Sequence, residues 1–82
     1  MKDFYYVFIL VSEADPDRHY TGLTQDLKAR LRKHNAGGVS HTSKYRPWRI
    51  KTAIAFLDRE KAAEFEKYLK SHSGRAFASK HF

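Results

Sequence analysis

From Phe4 to Val11 every side chain is aromatic, β-branched or leucine, with no polar position between them. Such a run predicts a central strand covered on both faces. Ala14, Asp15, Pro16 and Asp17 fall in a cluster of turn formers spanning Ser12 to Arg18, so His19 to Leu23 is predicted to pair back antiparallel on the first strand. Leu23, Leu27 and Leu31 then recur one helical turn apart. With Thr24 as N-cap, Asp26 in the first turn and Gly37-Gly38 as terminator, the pattern predicts a helix over Gln25 to Ala36. Arg30 and His34 line one edge of its apolar stripe, four residues apart, and reach back toward the strand bearing Tyr20.

Val39 to Pro47 has no hydrophobic period and reads as a basic, hydroxyl-rich loop suited to phosphate or to water. Trp48 to Phe56 alternates in part, with Ile50, Thr52 and Ile54 on one face and Ala53 and Ala55 on the other, which predicts a third strand. Asp58 caps a second helix, Arg59 to about Lys70, whose core face is Ala62, Phe65 and Leu69 and whose Glu66 borders that face. Glu60, Glu64 and Lys67 point more toward solvent. Arg75 to Phe82 adds a short last helix with Phe77 on the core. The expected fold is α+β: a small three-stranded antiparallel sheet packed with two main helices and a short C-terminal helix, in one domain over residues 1–82.

Charge changes the picture more than composition does. Sixteen Lys and Arg against nine Asp and Glu leave a net charge of +7 on 82 residues, and a field of that sign favours polyanions, nucleic acid ahead of acidic membrane. The apolar run from Tyr5 to Val11 is too short to span a bilayer and lacks the flanks of a signal peptide, so no membrane partner and a cytoplasmic location are expected. Absence of cysteine excludes a disulfide framework and thiolate chemistry. His19, His41, His72 and His81 have neither cysteine partners nor a tight His pair, which argues against structural zinc.

Two tripeptides on adjacent strands, Tyr6-Val7-Phe8 and Tyr20-Thr21-Gly22, are followed by a helical arginine, Arg30, and by His34. In residue pattern and element order the chain resembles the GIY-YIG nucleases. Its ending Ser73-Gly74-Arg75-Ala76-Phe77 is similar to that of the small stand-alone members, which are akin to the N-terminal nuclease domain of the nucleotide-excision-repair nuclease. The resemblance implies DNA as partner, a metal-dependent endonuclease activity in DNA repair or processing, and one divalent ion, Mg²⁺ or Mn²⁺, on Glu66. A small-molecule substrate is not expected.

By the same resemblance Tyr20 would activate or position water, Arg30 would hold phosphate oxygens, and His34 would position the nucleophile or protonate the leaving group. Tyr6 joins this catalytic set as the hydroxyl on the first strand. Each has a plainer alternative: a strand tyrosine, a solvated arginine, a surface histidine at a helix end, and for Glu66 an i,i+4 pair with Lys70. Lys33, Lys44, Arg46 and Arg49, with Arg30 and Arg32 and with Tyr45 and Trp48 interleaved, form a candidate DNA-facing surface with stacking sites.

One position departs from the family pattern. Phe8 stands where a tyrosine hydroxyl is usual, and Tyr6, roughly 6.6 Å along the strand, cannot take over the same point. Thr21 for isoleucine is milder, both being β-branched. Phe8 keeps open the alternative of a catalytically weak or inactive nucleic-acid-binding module of the same fold. A protein-interaction domain using exposed aromatics is a third class.

Overall fold

A computed structural model of the chain describes residues 3–82; Met1 and Lys2, which open the predicted 1–82 unit, lie outside the described residues. Strand β1 (Tyr5–Ser12) is flanked antiparallel by β2 (His19–Thr24) and β3 (Trp48–Phe56), in the order β2-β1-β3. Helix α1 (Leu27–Asn35) lies on one face, and α2 (Arg59–Leu69) and α3 (His72–His81) on the other. No helix among the described residues is long and apolar enough to cross a membrane.

Helices on both faces explain why β1 shows no alternation. Val7 and Ile9 pack with Ala62 and Leu69 of α2, while Phe8 and Leu10 pack with Trp48 on the α1 side. Each such side chain contributes about 1.5–3 kcal/mol on full burial, and β1 supplies five of the buried apolar residues, Val7 to Val11, so the central strand carries the largest share. Leu27 and Leu31 seat α1 on the Phe8 cluster; Phe65 and Phe77 seat α2 and α3 on the other.

Two helix starts differ from expectation. Helix α1 begins at Leu27 because Asp26, not Thr24, is its N-cap: the aspartate is extended (φ −134°, ψ 93°) and accepts from the Ala29 amide at 3.0 Å. Thr24 is still in the β2 ladder opposite Tyr6, and its hydroxyl accepts from the Asp26 amide at 3.1 Å. The predicted terminator holds, with Gly37 at φ +82°.

Helix α3 starts three residues earlier than expected, since Ser71 caps it by accepting from the Gly74 amide at 3.1 Å. Gly74 is then buried inside the helix, where any Cβ would collide with the Tyr68 carbonyl.

The faces of β3 are also reassigned. The ladder pairs Ile9 with Thr52 but Leu10 with Ile50, so Lys51 is an extra residue in a β-bulge. Ile50 therefore joins Trp48 on the Phe8 side, while Thr52 and Ile54 face α2. A bulge leaves no mark in hydrophobic period.

The connection from α1 to β3 is closed at its base by Asn35. Its side-chain amide donates to the Trp48 carbonyl (3.0 Å), and its carbonyl oxygen accepts from the Trp48 amide (2.6 Å). Above this clamp the expected loop contains a 3-10 turn, Ser43–Tyr45. Trp48 is buried, its ring N–H donating to the Thr42 carbonyl at 2.9 Å, so it is core and not the stacking platform expected of it.

Candidate active site

Tyr20, half-buried on β2, stands opposite Leu10 on the α1 side of the sheet. Its ring centroid lies 4.5 Å from that of His34, 5.8 Å from His41 and 6.3 Å from Phe8. Gly22 makes this crowding possible, because a Cβ there would come within 2.5 Å of Phe8 Cζ and 3.1 Å of the Tyr20 ring. Phe8 is fully buried and has nowhere to retreat. Gly22→Ala is therefore expected to destabilise the fold by about 1–3 kcal/mol and to move Tyr20, measured by chemical denaturation and by the Tyr20 ring shifts in NMR. An unchanged midpoint with unchanged ring shifts would count against this packing.

His34 is the central finding of the site. Far from the surface histidine of the plainer reading, it is completely buried, with Nδ1 2.9 Å from Thr42 Oγ1. Thr42 has one hydroxyl proton, and it donates that to the Val39 carbonyl at 3.1 Å. In the tautomer that fits this donation, the hydroxyl oxygen accepts from His34 Nδ1–H and the lone pair is left on Nε2. Nε2 is buried and has no hydrogen-bond partner. Burial first, then the charges of Arg30, His41 and Lys33, hold the imidazole pKa below its ordinary value. The result is a neutral ring with a free acceptor against Tyr20.

Arg30 sits one turn before His34 on α1, half-buried, with no carboxylate in ion-pair range among the described residues. An uncompensated guanidinium whose charge reaches the His34 imidazole suits a phosphate.

The remaining predicted residues are placed less centrally. Tyr6 is on the same side of β1 as Phe8, but its ring neighbour is Phe4 at 6.2 Å, and no ring contact joins it to Tyr20 or His34. Lys33, Lys44, Arg46 and Arg49 are all exposed. Arg46 donates to the Ser43 carbonyl at 2.7 Å and backs Gly37, and Lys44 lies 5.5 Å above the Tyr45 ring. Arg49 pairs with Val11 in the ladder, which places it on the α2 side, apart from the α1 cations.

Glu66 is on α2, across the sheet from Tyr20, and its carboxylate is 3.1 Å from Lys70, the i,i+4 pair anticipated as its plainer reading. Among the described residues no three His, Asp or Glu side chains cluster as a metal cage. The Tyr20–His34 side and the helix that carries Glu66 thus lie on opposite faces of the sheet.

Sequence reasoning does not single out His41 and Thr42 as site residues. Their signal is only a polar Ser-His-Thr-Ser loop, and nothing in its spacing shows that it folds back onto α1.

Residues 4–80 match the family model described as the GIY-YIG catalytic domain. The chain belongs to the GIY-YIG family, and the three-stranded sheet with its helices is the fold expected of it. It is 40% identical over 73 residues to the structure-specific endonuclease subunit SLX1 of Scheffersomyces stipitis, a match covering 80% of this chain and 22% of that protein. The SLX1 subunit of Candida dubliniensis is 41% identical over 76 residues, covering 84% of this chain and 27% of its own length. A UPF0213 protein of Haloquadratum walsbyi is 35% identical over 74 residues, covering 89% of this chain and 81% of the relative. The chain thus spans about a quarter of the SLX1 relatives and most of the UPF0213 one.

Proposed function

We propose that this domain is a DNA endonuclease that hydrolyses phosphodiester bonds with the help of one divalent metal ion. The observation that carries the reading is the buried, neutral His34 with a free Nε2 beside Tyr20 and an unpaired Arg30. Hydrolysis of a phosphodiester requires a group that takes a proton from the nucleophile and a cation on the phosphate. His34 Nε2 serves as the acceptor, with Tyr20 placing the water or relaying its own phenol proton. The fixed Nδ1 proton makes His34 a base at the start of the reaction and not the acid that protonates the leaving group.

Arg30 binds non-bridging oxygens and offsets the charge that grows on them. Glu66 would hold the metal. A single carboxylate is a donor set that suits Mg²⁺ or Mn²⁺, hard ions that keep most of their waters, and Lys70 would have to release it. When bound, the ion would supply Lewis-acid stabilisation of the phosphate. DNA repair or processing and cytoplasmic residence belong to the same proposal.

The test is nicking of supercoiled plasmid and junction DNA by pure protein with Mg²⁺ or Mn²⁺. The expected result is cleavage that EDTA and Glu66→Gln both remove, together with Glu66 shifts in NMR on titrating the metal. No cleavage of any DNA form across metals and pH would overturn it.

Phe8 favours a second reading, a weak or inactive binding module, since the third position of the first tripeptide carries no hydroxyl and its ring end is sealed under Gly22. Phe8→Tyr separates the two. A gain in nicking of about tenfold is expected if the rest of the site is competent, an oxygen's contribution of about 1.4 kcal/mol. DNA binding with no nicking by either form would establish the binding module.

A further inference from the structure

Strand β3 has a neighbour on one side only. Which of its residues turn their backbone away from the sheet follows from β1, whose groups alternate between its two neighbours. Ser12 donates to the Arg18 carbonyl (3.0 Å) on the β2 side, and Glu13 to the Pro47 carbonyl (2.9 Å) on the β3 side. Counting back by twos from Ser12, Phe8 and Tyr6 bond toward β2. The residues opposite them in β3, Ala53 and Ala55, therefore turn amide and carbonyl outward. Both alanines are exposed, and their outward groups have no hydrogen-bond partner among the described residues.

An outer strand is normally kept from pairing by charge, proline or a bulge. In β3 those devices stop at Lys51: Arg49, Lys51 and the bulge guard the first half, and Asn35 occupies Trp48. From Thr52 to Leu57 there is no charge, glycine or proline, and Leu57 is 74% exposed. The two ends of this uncharged stretch differ in sign. Arg49 and Lys51 precede it and Asp58 and Glu60 follow it, all exposed and none in an ion pair among the described residues. A second copy of the strand laid antiparallel sets a basic head beside an acidic tail, twice over. Arg59 and Lys61 share the tail, so the attraction rests on Asp58, which is nearest the strand.

We propose that β3 pairs antiparallel with β3 of a second copy of this chain, centred on Ile54, to give a symmetric dimer with one continuous sheet. In this register Ala53 of each copy exchanges backbone hydrogen bonds with Ala55 of the other, and Ile54 meets its counterpart across the twofold axis on the α2 side. The axis is normal to the sheet, so both Tyr20 sites face the same way, five strand spacings or about 24 Å apart across it. The pairing uses no residue of the nuclease site and is independent of that reading. Two chains of net charge +7 repel, and the contact is short, so the association is weak and strengthens with salt, the opposite of nucleic-acid binding.

The experiment is sedimentation velocity of the full chain between about 10 µM and about 1 mM, in about 0.15 M and about 0.5 M salt. A shift from one chain to two is expected, at lower concentration in the higher salt. Over the same range hydrogen exchange at the Ala53 and Ala55 amides should slow at least about tenfold, while that of Ile54, already bonded to β1, should not change. Ala55→Pro removes only an outward amide and should stay a single chain throughout, with an unchanged circular dichroism spectrum. Ala53→Lys puts a charge on the exposed alanine position without touching the backbone, and should weaken the dimer at least about tenfold. The chain has no cysteine, so a mixture of Ala53→Cys and Ala55→Cys proteins reads the register: opposed Cα atoms about 5.5 Å apart should give the mixed disulfide ahead of either self-disulfide.

A single chain at every concentration and salt would overturn the proposal. So would a dimer that both Ala55→Pro and Ala53→Lys leave intact, which would put the interface elsewhere, or assembly that runs past two chains. A single chain whose Ala53 and Ala55 amides gain protection only from a synthetic peptide of alternating valine and glutamate would also overturn it, and would reassign the strand to a partner protein.

Discussion

Arg30→Ala is expected to slow DNA nicking by about 10²–10³-fold, the usual loss when one preorganised donor to a developing oxyanion is removed. The protein should fold as before, because the guanidinium has no ion-pair partner to leave stranded. Lysine at the same place should recover little, lacking the planar fork that meets two phosphate oxygens at once. A second readout separates this role from a general loss of positive charge. Arg30 is among the charges that hold the His34 pKa down, behind burial itself. Without it the imidazole titrates nearer its ordinary value of about 6.5, and the acidic limb of the pH–rate profile moves to higher pH. A variant that nicks at the wild-type rate with an unmoved limb would remove Arg30 from the mechanism.

Thr42→Val is expected to cost about 10–100-fold in nicking rate, comparable with losses at groups that orient a ligating histidine. Valine keeps the shape but takes away the oxygen that accepts from His34 Nδ1–H. The buried N–H is then unsatisfied, at about 1–3 kcal/mol of stability, and the ring proton is free to move to Nε2, closing the acceptor that faces Tyr20. Thr42→Ser should restore both rate and stability. Nitrogen shifts of the His34 ring read the tautomer directly, and a Thr42→Val protein that keeps its proton on Nδ1 while losing rate would show that the hydroxyl acts by some other route.

The same histidine gives the fold a pH dependence with a definite sign. Its pKa is lower folded than unfolded, so below about pH 6.5 the unfolded chain takes up the proton first. Unfolding free energy should be level above that pH and fall on acidification, by at most about 1.4 kcal/mol per pH unit for this one proton, until the folded pKa is passed. His34→Gln should flatten that part of the curve, with the contribution of His19, shifted in the same direction, remaining.

The fold was legible where period and punctuation carry it. The unbroken apolar run marked β1 as central, the Asp58 cap and the Ala62, Phe65, Leu69 spacing marked α2, and Gly37 ended α1 at the anticipated place. What escaped was long-range. The bulge at Lys51 depends on which partner each β3 residue meets, and the burial of His34 depends on a loop eight residues downstream turning back with Thr42. For the same reason a tryptophan among cations read as an exposed stacking site, although the Thr42 carbonyl and Asn35 draw it into the core. Tyr20, Arg30 and His34 were singled out by resemblance to the family pattern, and the structure brings the Tyr20 and His34 rings together, whereas the packing of the Glu66 helix on the other face of the sheet left no mark in the sequence.

The Asn35 clamp on Trp48 has a consequence beyond holding the loop. Strand β3 is at the margin of the sheet, where free amides and carbonyls invite a strand from another molecule. At Trp48 both outward groups are already taken by one side-chain amide, which imitates a neighbouring strand for a single residue. Asn35 thereby blocks self-association at that end of β3, and a protein with alanine in its place should be the first to aggregate on storage.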